Sequence, residues 1–231
     1  MKEEETFQRH IEALTRISRA ITSDRYIEDI LRLIVTVTAE TMHSKICALW
    51  LLDKGDDTFK LRATQSISED YLKERSLKIG EGVVGQVALT REPRLVVSVL
   101  EDQDYKEKEL AKKEGLVSML SVPMVVKDRV IGVINCYTSY SHEFTETEKN
   151  VLITVANEAA VAIENTELMV ESRVIQEELE TRKLIERAKD ILMTRRDMSG
   201  QEAFRSIQKR SMDVRKSMKE IAEAIILTEE I

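Results

Sequence analysis

The sequence predicts an α+β domain, followed by a long helix and a small domain of three helices. Two changes of pattern along the chain predict this order. At Ile46 the helical spacing of apolar residues gives way to short apolar runs and alternation, which are typical of strands. At Thr145 helical spacing returns, and the next clear break is at residues 197–200, so this helix is too long to pack on one small domain.

The first part of the chain is predicted to form two amphipathic helices. Apolar residues recur at helical spacing through residues 4–21, at Phe7, Ile11, Leu14, Ile17 and Ile21. A second helix is expected to begin at Ser23 and Asp24 and to end near His43.

Strands are predicted next. Residues 46–52 form an apolar run that a polar turn at 53–57 closes, and residues 59–64 alternate, so together they indicate two strands. Residues 94–100 are a further candidate strand. Residues 117–126 and 129–138 predict a hairpin whose turn, Lys127 and Asp128, contains no glycine.

Three helix starts have capping-box spacing, in which a Ser or Thr and a Glu three residues later satisfy the unpaired N–H groups. These pairs begin at Thr145, Ser199 and Ser217. The terminal helices are therefore predicted as the tail of the long helix, about 199–213 and about 217–229. Their apolar stripes predict a minimal core made of Ile185, Ala188, Ile191, Leu192, Ala203, Phe204, Ile207, Ile221, Ala222, Ile225 and Ile226.

The long helix also carries coiled-coil spacing. Val161, Leu168 and Ile175 recur every seven residues and Leu179 follows, although Asn165 and Ser172 lie on the same seam. The alternative is a helix that packs only on its own sheet. We favour pairing with a second copy, and thus a homodimer.

The amino-acid composition indicates which class of protein this is. Charged residues make up 33% of the chain and apolar residues 42%, which is typical of a folded, soluble protein. No apolar run approaches the ~20 residues of a membrane helix, so no membrane partner is expected. The acidic start lacks a signal-peptide core, and only two cysteines occur. A cytoplasmic protein is expected.

One glycine motif invites a dinucleotide-binding interpretation. Gly80, Gly82 and Gly85 fit GxGxxG, and Glu101 lies 21 residues after the first glycine. The segment before it is too short and polar for a buried parallel strand, and no strand–helix repeats follow. We therefore interpret the glycines as a tight turn leading into a helix at 83–89.

Signals of catalysis are weak. Cys47 and Cys136 both lie in apolar candidate strands and are interpreted as small buried residues rather than a redox pair or metal ligands. The three histidines have no ligand or nucleophile partner at motif spacing. The sequence therefore predicts no cofactor, no metal site and no enzyme.

Charge is distributed unevenly. Residues 181–219 contain 12 Lys or Arg and 5 Asp or Glu, whereas the whole chain has a net charge of −7. Arg205 and Lys209 are four apart and so project from one helix face. A basic module on an acidic body indicates a polyanion partner, and a solvated helix face is the alternative. The candidate contact residues are Lys189, Arg195, Arg196, Ser199, Arg205, Lys209, Arg210, Arg215 and Lys216.

Two resemblances extend this interpretation. Residues 10–170 resemble a GAF domain through IGEGVVGQVALTREP at 79–93, SVPM at 121–124, VIGVI at 130–134 and FT at 144–145. The resemblance implies an antiparallel sheet of about five or six strands flanked by helices, and a sensor or dimerisation role with a possible small-molecule ligand. It implies no particular ligand-binding residue.

Residues 172–231 resemble an ANTAR domain through IERAK at 185–189, ILM at 191–193, AF at 203–204, SM at 211–212 and EIA at 220–222, together with Ser199, Glu202 and Ile207. This resemblance implies a three-helix module that dimerises through an upstream coiled coil and binds paired RNA stem-loops. Arg215 stands where the family frequently has Asn.

These observations predict a transcription antitermination regulator that binds tandem stem-loops of a leader transcript. The expected domains are a GAF-like sensor at 1–170, a coiled-coil linker helix at 160–185 and an ANTAR-like RNA-binding domain at 172–231. The alternative is a signalling module whose helical tail docks a partner protein. A third possibility, a GAF-type enzyme such as a methionine sulfoxide reductase, would need reactive, exposed cysteines.

Overall fold

A computed structural model describes residues 2–21 and 27–228 of the chain. Within the first helix, the side chains of residues 2–7, 9, 10, 20 and 21 lie outside this description, as does the helix start expected at Ser23 and Asp24. The chain divides into two compact units, Met1–Thr166 and Glu167–Ile231.

The first unit contains a six-stranded sheet in which every pair of neighbouring strands is antiparallel. The strands are β1 (Ile46–Asp53), β2 (Thr58–Thr64), β3 (Ser76–Lys78), β4 (Arg94–Val96), β5 (Met119–Val126) and β6 (Arg129–Tyr137). Their order across the sheet is β3-β2-β1-β6-β5-β4. The predicted α+β class and antiparallel sheet are confirmed.

The predicted helices form in the expected order, and the structure adds two short helices, at 69–72 and 108–114, that the sequence did not predict. They are α1 (Lys2–Ile21), α2 (Ile27–Thr41), α3 (Glu69–Leu72), α4 (Gly82–Thr90), α5 (Lys108–Glu114), α6 (Glu146–Arg196), α7 (Gly200–Val214) and α8 (Met218–Leu227). The long helix α6 runs unbroken for 51 residues and ends at the predicted break. Its start is fixed by Thr145, whose hydroxyl accepts a hydrogen bond from the Glu148 N–H.

The sheet separates two hydrophobic cores because alternate residues of each strand face opposite sides. On one side Cys47 and Leu49 of β1 pack with residues of α1, α2 and α6. On the other side Ala48 and Trp50 pack with residues of α3, α4 and α5. Alternation along the strands therefore places helices on both faces of the sheet.

The hairpin of β5 and β6 forms as predicted, and its turn shows how it does so without glycine. Lys127 has φ 47° and Asp128 has φ 65°, so both adopt the left-handed conformation of a two-residue hairpin turn. Aspartate tolerates this region because its short polar side chain can bond locally.

The glycine motif forms the tight turn between β3 and α4. Gly80 and Gly82 have positive φ, and the Gly80 N–H donates to the Gly85 carbonyl at 2.9 Å. A Cβ at Gly85 would lie 2.3 Å from the Lys78 carbonyl oxygen. Since β3 is a short antiparallel strand paired with β2, the parallel unit of a dinucleotide-binding fold is not formed here.

One local prediction was wrong. Of the expected strand at 94–100, only Arg94–Val96 pairs with β5, because the chain then turns through residues 97–102. The first predicted helix forms as α1, where Ala13 and Ile17 are buried and Ile11 is exposed.

Candidate nucleic-acid interface

The terminal module, which we define as residues 184–228, has its own small core. Ala188 and Leu192 at the end of α6 pack with Ala203 and Ile207 of α7 and with a stripe on α8. The members of that α8 stripe are Ile221, Ala222 and Ile226. Alanines at the centre allow the three helices to approach closely, and the polar side chains are left outside.

Both short helices begin with the predicted capping boxes. The Ser199 hydroxyl accepts a hydrogen bond from the Glu202 N–H, while the Ser199 N–H donates to the Glu202 carboxylate at 2.9 Å. Ser217 and Glu220 repeat this geometry at α8. In each box, hydrogen bonds from the serine lower the pKa of the glutamate carboxyl.

The turn between α7 and α8 is closed by Arg215 in the left-handed conformation, with φ 55° and ψ 40°. Its N–H donates to the carbonyls of Met212 and Ser211, and the Lys216 N–H donates to the Ser211 carbonyl at 3.1 Å. The Ser211 hydroxyl donates to the Lys216 carbonyl. These bonds hold two candidate cations, Arg215 and Lys216, at a fixed corner of the module.

Most of the predicted contact residues are exposed cations. Exposed side chains are those of Arg195, Arg196, Arg205, Lys209, Arg210, Arg215 and Lys216. Two of them have an acidic neighbour that partly offsets their charge: Arg205 lies near Glu202, and the Lys216 ammonium lies 3.8 Å from the Glu220 carboxylate.

Two predicted residues are placed differently. Lys189 is half-buried, and its ammonium group forms an ion pair with Glu186 at 2.8 Å. The Ser199 hydroxyl is engaged in its capping box, where it also donates to the Glu202 carboxylate at 2.7 Å. Both residues therefore have a structural role within the module.

The prediction that Phe204 faces the core was wrong. Ile207 is buried, but Phe204 is 40% exposed, because it lies one position around the helix from the buried Ala203. Its ring lines a groove with Val174, Thr181 and Ile185 of α6. Helical spacing alone did not distinguish Phe204 from Ala203, because both residues lie three or four positions before Ile207 and so both fit an apolar stripe that includes it.

The sheet domain contains a half-buried ion pair beside two aromatic rings, which the sequence did not predict. The Arg75 guanidinium pairs with Glu107 at 2.7 Å and lies 4.6 Å from the Tyr71 ring centre and 5.4 Å from that of Trp50. The cavity beside them measures only about 10 Å³. Lone residues in separate loops gave no motif that could have identified this cluster.

The two cysteines face each other across β1 and β6. Both are free thiols and fully buried, as the sequence predicted. Burial, and then a hydrogen bond with Cys136, raise the pKa of Cys47, which disfavours the reactive thiolate.

Comparison with known families decides the classification. A family model for the GAF domain matches residues 24–164. The chain belongs to the GAF domain family. A second model, for the ANTAR domain, matches residues 173–226, so a GAF domain is followed by an ANTAR domain.

Relatives and solved structures agree with this assignment. The chain is 31% identical to the transcriptional regulatory protein PdtaR of Mycobacterium tuberculosis over 59% of this chain and 55% of that protein. It is 23% identical to a phosphoenolpyruvate-dependent phosphotransferase system protein of Escherichia coli, over 67% of this chain and 21% of the relative. It thus spans about half, or less, of these relatives.

Solved structures with a similar fold include a GAF domain and a reductase. The GAF domain of a phosphoenolpyruvate-protein phosphotransferase from Coxiella burnetii aligns with a TM-score of 0.65 and 23% identity, covering 71% of this chain and 98% of that one. Free methionine-R-sulfoxide reductase from Neisseria meningitidis aligns with a TM-score of 0.60 and 21% identity, covering 69% and 91%. No helix in the described ranges combines the length and apolar character needed to cross a membrane.

Proposed function

We propose that this protein is a transcription antitermination regulator whose ANTAR domain binds RNA stem-loops under the control of its GAF domain. One observation carries the proposal: the surface of the terminal module carries exposed cations contributed by α6, α7 and the turn that follows α7. Such a surface attracts phosphates, and unpaired loop bases are the part of RNA that side chains can reach. The name of the PdtaR relative supports a role in transcription.

A double variant tests the RNA surface. Arg205→Ala/Lys209→Ala removes two exposed cations from one face of α7, and we expect weaker binding to RNA hairpins and a shallower dependence of affinity on salt. Lys112→Ala/Lys113→Ala on α5 removes the same charge from the GAF domain and is the matched control. If both variants bind RNA as the unaltered protein does, this face of α7 is not the contact surface.

The proposal includes a homodimer. The seam residues Val161, Leu168, Ile175 and Leu179 are 46–58% exposed along α6, although their spacing is that of a coiled coil. Pairing of two α6 helices would bury them and present two ANTAR domains to a tandem pair of stem-loops. A ligand of the GAF domain would act by changing the pairing or rotation of the two helices.

A second candidate is a protein-interaction module whose tail docks a partner protein. The groove beside Phe204 favours it, because its apolar floor is accompanied by Glu177, Glu178 and Glu186 rather than by an excess of cations. The ratio of the purified protein's absorbance where nucleic acids absorb most to its absorbance where proteins absorb most distinguishes RNA binding from protein docking. Nucleic acid that co-purifies with the protein supports RNA binding, and its absence with retention of a protein partner supports docking.

The reductase-like alternative meets a physical obstacle, because both thiols are buried. Titration of the native protein with a thiol reagent should leave Cys47 and Cys136 unmodified until the protein unfolds. Rapid modification of either thiol in the folded protein would reopen this possibility.

A further inference from the structure

A groove on the terminal module combines an apolar floor with a cationic rim. It has a volume of about 620 Å³ and is lined by the end of α6, by α7, by the following turn and by α8. Ile207, Val214 and Ile225 contribute to its floor. It is distinct from the face of α7 that carries Arg205 and Lys209, since neither residue lines it.

The floor is open because small and partly covered side chains surround it. Val214 is 37% exposed at the end of α7, and Ile225 is only half-buried on α8. Ala224, which also lines the groove, is exposed and leaves room that a larger side chain would fill. The apolar surface that α7 and α8 leave uncovered therefore lies at the bottom of a depression.

The rim is positively charged. Arg196, Arg210 and Lys216 reach it from α6, α7 and the turn, respectively, and none of the described lining residues is acidic. Arg196 and Arg210 form no ion pair with any residue between 27 and 228. Three cations from three elements, held around one apolar surface, suit a ligand that joins a flat, weakly polar ring to an anion.

We propose that this groove binds one unpaired nucleotide of an RNA loop, with its base on the apolar floor and its adjoining phosphates at Arg196, Arg210 and Lys216. The inference rests on the proposed RNA-binding function and identifies the groove as the site that binds a base. An exposed cationic helix face positions a backbone, whereas a recess of this kind reads an extruded base.

The test compares two RNA hairpins on purified full-length protein. Both hairpins have the same stem, but one has a loop of randomised sequence and the other has a loop of abasic nucleotides, which keeps the phosphates and removes the bases. Filter binding at low salt should show that the unaltered protein prefers the first hairpin by about tenfold, as expected for loss of one base contact.

Two groove variants probe the same site. Ala224→Leu fills the floor without changing charge, and Ala224→Glu adds a carboxylate; because Ala224 is exposed, both should fold, which thermal melting verifies. Each should reduce the preference for bases to within about twofold. Leu227→Glu places a carboxylate on the same helix outside the groove and should keep the preference.

The outcomes separate the two proposals. If the unaltered protein binds neither hairpin more tightly than a control protein of equal charge, the proposed RNA-binding function is wrong and the groove proposal fails with it. If the protein binds both hairpins equally, or if folded Ala224 variants keep the full preference for bases, RNA binding stands and the groove proposal alone is overturned.

Discussion

Arg215 occupies a backbone conformation that is costly for a residue with a Cβ. It closes α7 with φ 55° and ψ 40°, at the position where helices usually place glycine. The left-handed region costs residues other than glycine roughly 1 kcal/mol, and asparagine and aspartate are among those that tolerate it best. An arginine here therefore lowers stability and adds an exposed cation to the turn between α7 and α8.

We predict that Arg215→Gly stabilises the ANTAR domain and weakens RNA binding. Glycine relieves the left-handed strain, so the free energy of unfolding should rise by up to ~1 kcal/mol, while one cation is lost. Urea unfolding and RNA titration across salt concentrations measure the two effects. Arg215→Lys is the control, because it keeps both the charge and the strain. A glycine variant that is less stable than the natural protein would contradict this account.

At Gly85 the natural residue is already glycine, and the backbone leaves no space for a Cβ atom. A Cβ would lie 2.3 Å from the Lys78 carbonyl oxygen and 2.8 Å from the Gly80 nitrogen, both of which are backbone atoms that cannot move independently. We predict that Gly85→Ala destabilises the GAF domain by about 3 kcal/mol. Fluorescence of Trp50, the one tryptophan in the sequence, reports this unfolding because the residue is buried in that domain.

Gly200→Ala provides the matched control. Its Cβ would lie 3.6 Å from the Met193 sulfur, an ordinary contact at the first position of α7. This variant should leave the Trp50 transition unchanged. Equal stability of both alanine variants would show that the turn between β3 and α4 relaxes at little cost.

At the scale of elements, the stability of α7 and α8 depends on the hydrogen bonds in their first turns. Each helix is short, and each starts with a serine hydroxyl and a glutamate carboxylate that satisfy otherwise unpaired N–H groups. Both boxes work best with an ionised glutamate. The pKa of Glu202 and that of Glu220 are lowered by the hydrogen bonds from Ser199 and Ser217.

The lowered pKa values fix the direction of a pH effect. A carboxyl whose pKa is lower in the folded than in the unfolded state adds stability above the ordinary value of 4.5, and this contribution is lost as the pH falls through the folded pKa. We therefore predict that the ANTAR domain loses helical circular dichroism on acidification from about pH 6 to about pH 3.

Removal of the serine cap of α8 tests whether this box contributes to the pH dependence of stability. Ser217→Ala should cost about 1 kcal/mol at neutral pH. It should also make stability less sensitive to acid, because Glu220 loses the hydrogen bond from the serine hydroxyl and keeps only the one from the backbone N–H. Ser206→Ala, within α7, leaves both boxes intact and serves as the control. An unchanged acid response in Ser217→Ala would show that the serine hydroxyl does not contribute to the pH effect.

Elements with local signals could be predicted from sequence, whereas their assembly could not. The capping boxes, the long helix and the hairpin of β5 and β6 all depend on residues close in sequence. The pairing of β1 with β6 joins distant segments, and β4 is short because the chain turns away after Val96. Such features depend on tertiary packing, which a single sequence does not display.

The candidate site divides in the same way. Residue type and helical spacing identified exposed cations such as Arg205 and Lys209. The same spacing placed Phe204 in the core and gave no sign of the groove over Ile225, because both depend on how far three helices cover one another. The RNA contacts of all these residues stay a prediction.

At the scale of the whole molecule, α6 is the one element shared by both compact units. Near its start, Leu152, Ala156 and Ala159 belong to a core of the GAF domain, and near its end Ala188 and Leu192 belong to the core of the ANTAR domain. Between them the seam residues are exposed. A helix that contributes to both cores can transmit a change in pairing only if a second helix lies along that seam.

We predict that Leu168→Glu/Ile175→Glu converts a dimer into a monomer, because two carboxylates per helix would have to be buried against each other at the seam. Sedimentation velocity measures the change in mass. Both residues are already exposed within the chain, so the helical content and the melting of the GAF domain should be preserved. A monomer presents one ANTAR domain, so its preference for tandem over single hairpins should disappear while binding to a single hairpin persists.

Met169→Glu/Gln176→Glu shifts the same charges one position around the helix and should leave the dimer intact, since both residues lie beside the seam. A seam variant that stays dimeric would place the contact between copies elsewhere, for example at the groove beside Phe204. A natural protein that is itself monomeric at micromolar concentration, yet prefers tandem hairpins, would show that RNA rather than α6 brings the two copies together. Sedimentation with and without RNA therefore determines whether dimerisation precedes recognition or follows from it.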